Sequence, residues 1–316
     1  MARRKRQTRR KLRGGSSNFK TLENKIKKSN TKKIFKKPKC SLARNNSYTC
    51  YTSDALIKLR DLWNARHPDV KIETSEPKEI WKSLRDNMID VCDRESCWLK
   101  QKFVDNNVAN ELLSRSFAPK SPKSWEKDPT TWLTSLDIDR VMKQYEYAYP
   151  SFMFIGPSPI DFDTRVQDGE CVWDELCNFN LEKVLKKGKN KIGVVFNTDP
   201  HYKDGSHWIS LFINVNEGYI FFFDSAGDEA PKEVKVLADR IIEHGKKLGI
   251  KLKYQENHPK AHQKGNTECG MYSLYMITSV LRGKKKPKDF IGGDIVKDGE
   301  MEALRKEYFN GASELD

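Results

Sequence analysis

The residues best suited to chemistry surround one cysteine. Gln263-Lys-Gly-Asn-Thr-Glu-Cys269-Gly270 runs directly into the apolar stretch from Met271 to Leu281, so Cys269 is predicted at the start of a buried helix. Backbone N–H groups at a helix N-terminus have no intrahelical partner and favour negative charge, so a thiol placed there is favoured as thiolate. Cys269 is therefore a candidate nucleophile. Such a nucleophile needs a base, and the base needs an orienting group. Upstream, Ser206-His207-Trp208-Ile-Ser-Leu-Phe-Ile-Asn214 and Gly218-Tyr-Ile-Phe-Phe-Phe-Asp224-Ser225 are rich in β-branched and aromatic residues and read as strands. A hairpin turning at Val215-Asn216 would set His207 directly opposite Asp224 on one face, an imidazole beside a carboxylate.

A single histidine or cysteine is ordinarily a surface or core residue and carries little weight alone. Here His207, Asp224, Gln263 and Cys269 follow one another with seventeen residues from histidine to aspartate and six from glutamine to cysteine. This order and spacing resembles that of the Ulp1-like cysteine proteases, the group of SUMO-specific proteases, the adenovirus protease and the core-protein proteases of large eukaryotic DNA viruses. The resemblance covers about residues 130 to 285 and is strongest from Lys191 to Leu281. It implies Cys269 as nucleophile, His207 as general base and then acid, Asp224 as its orienter, and Gln263 as an oxyanion-hole donor. It also implies that Trp208 covers a narrow channel that admits only glycines before the scissile bond. No metal ion or organic cofactor is implied. Trp132-Leu133 and the helix from Ser135 to Tyr145, with Ile138, Val141, Met142 and Tyr145 on one face, resemble the start of the family's catalytic core.

Around this core the chain divides by composition. Residues 1–40 hold seventeen Lys/Arg against the single acid Glu23, a net +16, while the whole chain carries +14. The basic charge is thus a tail, too polar to bury a core of its own and suited to nucleic acid or acidic partners. Within it Leu12-Arg13-Gly14-Gly15-Ser16 resembles the family's cleavage sites, which makes the Gly15–Ser16 bond a candidate for self-cleavage. Residues 41–125 are predicted as a helical accessory domain, with Leu56, Leu59 and Trp63 on one face, then Pro77 at a helix start and Ile80, Trp81, Leu84, Met88 and Val91. The Pro- and charge-rich run from Ala118 to Pro129 reads as a linker into a catalytic domain at 126–290, followed by a polar segment at 291–316.

The remaining elements are a helix within Trp173–Leu185, strands at Lys191–Phe196, His207–Asn214, Tyr219–Asp224 and Ile250–Gln255, and helices at Pro231–Leu248 and Glu300–Tyr308. Gly292-Gly293 is read as a turn. The expected fold class is α+β, a small mixed sheet flanked by helices in a papain-like or Ulp1-like core. No apolar run is long enough to span a bilayer and no apolar segment follows the basic N-terminus, so membrane insertion and secretion are not expected. Cys40, Cys50, Cys92, Cys97, Cys171 and Cys177 form neither a CxxC pair nor a zinc pattern and are expected as reduced structural thiols.

The expected activity is cysteine endopeptidase cleavage after Gly-Gly or Gly-X, in a viral protease that matures structural or core proteins in the virion or host cytoplasm. Two alternatives stand beside it: a cellular SUMO-type isopeptidase, with the nucleus as the alternative location, and a nucleic-acid-binding scaffold with an inactive protease core.

Overall fold

The computed structural model describes residues 35–36, 39–44, 48–166 and 169–311; Gly15, Ser16 and most of the basic tail lie outside these. The first helices are set by local signals. The Thr52 side chain accepts from the Ala55 N–H at the start of α1 (Ser53–Arg66), Pro77 opens α2 (Pro77–Met88), and Asp105 accepts from Asn107 and Val108 at the start of α3 (Asn106–Ser116). Leu56, Leu59, Trp63, Ile80, Leu84 and Met88 are buried together with Trp98 and Phe117. Val91 is not part of this face: α2 ends at Met88, and Val91 is 68% exposed.

The helix α4 (Ser135–Ala148) begins with a capping box in which Thr134 and Asp137 satisfy each other's backbone N–H groups. Its Ile138, Val141, Met142 and Tyr145 are buried, as their spacing predicts. Next comes β1 (Phe152–Pro159), which the sequence reading leaves unassigned. Gly156 and two prolines interrupt its pattern, and Pro lacks the donor that a central strand needs. They are tolerated because β1 is an edge strand whose pairing is irregular between Ile155 and Ser158. The helix expected within Trp173–Leu185 is two short ones, α5 (Asp174–Cys177) and α6 (Leu181–Lys186), because Asn180 starts a new helix by accepting from Lys183 N–H.

The sheet has the order β1-β2-β3-β4-β5, with β2 Lys191–Asn197, β3 Trp208–Asn214, β4 Tyr219–Phe223 and β5 Lys253–Glu256. The two outer pairings are parallel and the two inner ones antiparallel, so the sheet is mixed. Every residue of β3 and β4 is buried. One face, with Phe212, Phe221 and Phe223, meets α4 and α8 (Cys269–Leu281); the other, with Ile209, Leu211 and Ile213, meets α6 and α7 (Lys232–Lys247). Burial on both faces explains why β3 and β4 read as nearly continuous apolar runs. The short α9 (Pro287–Ile291) ends at Gly292, and α10 (Asp298–Tyr308) buries Met301 and Tyr308 in the cluster that holds α8.

Two expectations are corrected here. The six cysteines expected as reduced thiols pair as Cys40–Cys50, Cys92–Cys97 and Cys171–Cys177, leaving Cys269 as the free cysteine. Motif spacing cannot reveal such pairs, which depend on Cα separations of 4.9, 5.5 and 6.2 Å set by the fold. The run from Ala118 to Pro129 is also built into the structure: Trp125 meets Phe309 edge-on at 5.1 Å and stacks under the Arg305 guanidinium at 4.6 Å.

Arg305 is 4% exposed and pairs with Glu268, 1% exposed, at 2.8 Å. It also donates to the carbonyls of Pro129, Thr130, Thr131 and Thr267. The pair therefore fastens α10, the segment before α4 and the residue preceding Cys269 to one another. Removing one partner of a buried pair strands the other charge, which typically costs about 3–5 kcal/mol. Arg305→Ala is expected to lower the unfolding free energy by about that amount in urea titrations; a change within about 0.5 kcal/mol, usual for a surface site, would show that the pair is not buried in solution.

Candidate active site

Cys269 is the first residue of α8 and is 2% exposed. Twelve of the thirteen residues of this helix are buried, all but Tyr275, so the sequence has no polar face to place in water. Gly270 lets the helix end approach its neighbours: a Cβ there would stand 3.1 Å from Leu133 and 3.2 Å from Trp208. Trp208 is itself fixed by its indole N–H, which donates to the Leu133 carbonyl at 3.0 Å. Trp208 also lines a cleft of about 320 Å³, together with Ser135, Pro157, Pro159, Trp173, Asn197 and His201 among others.

His207 immediately precedes β3 and Asp224 immediately follows β4. Their register differs from the expected one by two residues: Ser210 pairs with Phe223 and Asn214 with Tyr219, so the turn is longer than the predicted two residues. Asn214 and Glu217 hold it by mutual hydrogen bonds, and Gly218 at φ +72° supplies the left-handed residue. A two-residue shift preserves the face, because side chains alternate with period two. His207 and Asp224 thus meet diagonally, with Nε2 2.7 Å from Oδ1.

Asp224 occupies one ring nitrogen, and Cys269 is near enough to act on the charge of the ring as well. Burial, the largest influence on the ring, disfavours its charge. The hydrogen bonds to Asp224 and Cys269 and their negative charges outweigh it and push the His207 pKa up to about 10.

Asp224 is held in turn by a residue that sequence reasoning missed. The fully buried Asn257, just past β5, accepts from the Asp224 N–H at 2.9 Å and donates to its carbonyl at 2.7 Å. The Ala226 N–H donates to the Asp224 carboxylate at 2.8 Å. The only sequence signal was an asparagine ending a strand, too common to single out. Gln263 leaves the loop after β5: its N–H donates to the Ser225 carbonyl, its Oε1 accepts from the Ser225 hydroxyl at 2.7 Å, and its Nε2 donates to the Gly265 carbonyl at 3.0 Å. Ser225, next to Asp224, thereby fixes which way the Gln263 amide points. Among the described residues no cluster of His, Cys, Asp and Glu is arranged to hold a metal ion.

Such a thiol, imidazole and carboxylate line can generate a sulfur nucleophile and move its proton. The comparisons with known proteins agree on the class: the chain is a cysteine peptidase. The C-terminal catalytic domain model of the Ulp1 protease family matches residues 182–315. A putative thiol protease of Acanthamoeba polyphaga mimivirus is 29% identical over 281 residues, 83% of this chain and 89% of that one. A SUMO-1 cysteine protease of African swine fever virus is 28% identical over 221 residues, 65% of this chain and 78% of that one. The crystal structure of the African swine fever virus protease has the same fold, with a TM-score of 0.60 at 24% identity over 87% of this chain and 96% of that one.

Since the folded pKa of His207 lies above the ordinary 6.5, its imidazolium contributes stability that is complete below pH 6.5 and is lost as the pH rises through about 10. The His207 ring followed by NMR should titrate near pH 10, and Asp224→Ala should return the midpoint toward the ordinary histidine range. An unchanged midpoint in the variant would remove Asp224 as the cause.

Proposed function

We propose that this chain is a virus-encoded cysteine endopeptidase that cleaves after Gly-Gly or Gly-X and matures structural or core proteins, in the virion or at the assembly site in the host cytoplasm. The observation that carries the reading is the unbroken line from the Asp224 carboxylate through the His207 ring to the Cys269 sulfur at a helix N-terminus. The Cys269 thiolate attacks the scissile carbonyl, and the charge passes to the carbonyl oxygen. The second Nε2 hydrogen of Gln263 and the Cys269 backbone N–H stabilise that oxyanion. The His207 imidazolium then protonates the leaving amine as the C–N bond breaks. Water, deprotonated by His207, attacks the thioester and releases the acid and the free thiol.

The tight seat of Trp208 over Gly270 supports a preference for residues without side chains next to the cleaved bond, and the viral origin of the similar proteins supports the maturation role. The name of the African swine fever virus relative favours a second reading, deconjugation of a SUMO-like protein. The basic tail, at net +16, would bring nucleic acid or acidic core proteins to either enzyme.

The test uses a peptide containing Leu-Arg-Gly-Gly-Ser and a SUMO C-terminal conjugate, followed by mass spectrometry. The peptide is expected to be cut after the second glycine by the wild type and not by Cys269→Ala, and Gln263→Ala is expected to lower kcat by ~10²-fold. Cleavage of the conjugate alone would transfer the assignment to deconjugation, and no Cys269-dependent cleavage of either would favour a binding scaffold. In the same incubations the wild type should lose residues 1–15 and Cys269→Ala should keep them; identical intact masses would exclude self-processing at Gly15.

A further inference from the structure

The loop carrying Gln263 is attached to the rest of the molecule from outside the four residues assigned above. Asp298, the first residue of α10, accepts from the Gly265 N–H at 2.8 Å and the Lys264 N–H at 3.1 Å through Oδ2, and from the Tyr272 hydroxyl at 2.8 Å through Oδ1. Tyr272 lies one turn past Cys269 on α8. Burial and then the bond to Asp298 hold its phenol protonated, well above the usual tyrosine range. One carboxylate therefore links the first turn of the nucleophile helix to two consecutive peptides of the loop.

The Gly265 peptide it grips is the same residue whose carbonyl takes one Nε2 hydrogen of Gln263. An amide nitrogen has two hydrogens in a fixed plane. With Oε1 held by Ser225 and one hydrogen held by Gly265, the direction of the second hydrogen is set by where Gly265 stands. Where Gly265 stands is set by Asp298. His262 braces the loop from its other side: its Nδ1 accepts from the Val296 N–H, so its Nε2 is the donor to the Phe290 carbonyl, and the ring is held neutral.

We propose that Asp298, backed by Tyr272, is a positioning residue that aims the Gln263 amide at the oxyanion. The proposal rests on the reading of Gln263 as oxyanion donor. An oxyanion donor is effective only when preorganised at the place the charge develops, so loosening its support acts on the transition state rather than on substrate binding.

The full-length protein is compared with Asp298→Ala, Asp298→Asn, Tyr272→Phe and Cys269→Ala. Asp298→Ala is expected to lower kcat on the Gly-Gly peptide about tenfold, less than the ~10²-fold loss of a deleted donor, with KM within about twofold. The rate of Cys269 alkylation by iodoacetamide, a displacement of iodide that uses no oxyanion hole, is expected to stay at the wild-type value. Asp298→Asn keeps one acceptor oxygen and should recover part of kcat, and Tyr272→Phe should lower it in the same KM-independent way.

A wild-type kcat in Asp298→Ala, or parallel losses of kcat and alkylation, would overturn the proposal, the second result meaning that the loop matters only to the fold. If Asp298→Ala does not fold, the same split between kcat and alkylation is required of Asp298→Asn. If wild type and Cys269→Ala prove equally inactive, the proteolytic reading itself has failed. The clamp is then judged by amide hydrogen exchange: Lys264 and Gly265 must exchange faster in the Asp298 variants, and equal rates would reject it.

Discussion

A buried guanidinium and a buried carboxylate at 2.8 Å govern how this structure closes. Two opposite charges in an apolar surrounding tolerate little separation, because neither has water to fall back on. Glu268 stands one residue before Cys269, and Arg305 stands in the last helix of the described chain. The carbonyls of residues 129–131 and 267 take the remaining guanidinium hydrogens, and Trp125 covers its face. A single cation in α10 thus satisfies polar groups from two distant parts of the sequence, and the position of the nucleophile follows from their agreement.

The sheet supplies the other half of the arrangement. Because β3 and β4 are buried on both faces, a slide by one residue would exchange two side-chain sets that are packed against different helices, so the ends of the two strands are fixed relative to each other. His207 and Asp224 sit just outside those ends, where the regular ladder stops and side chains are free to turn toward each other. Asn257, at the end of the neighbouring parallel strand, holds the Asp224 backbone in that irregular place. The base is consequently positioned by the sheet and the nucleophile by the helix, with Trp208 and Gly270 as the contact between the two.

Local periodicity was sufficient for α1, α4, α7 and α8, whose buried faces follow directly from residue spacing, and the mixed fold class followed from the alternation of these helices with β2, β3 and β4. It failed where a tertiary neighbour overrides the local signal. The β1 strand is legible only once β2 lies beside it, since its glycine and prolines argue against a strand in isolation. The hairpin register was misread by two residues because the Asn214–Glu217 turn is a side-chain arrangement, yet the even shift kept His207 and Asp224 on one face. The pairing of the six cysteines, the role of Asn257 and the closure by Arg305 involve partners between 5 and 176 residues apart, and no spacing rule connects them.

The attachment of α10 also bears on time. Synthesis proceeds from the N-terminus, so His207, Asp224, Gln263 and Cys269 all leave the ribosome before Arg305 does. Until that last helix arrives, Glu268 has no countercharge and the ground beneath the nucleophile is unfinished. A nascent chain therefore exposes all four of these side chains before the residue that fixes the start of the nucleophile helix has been made.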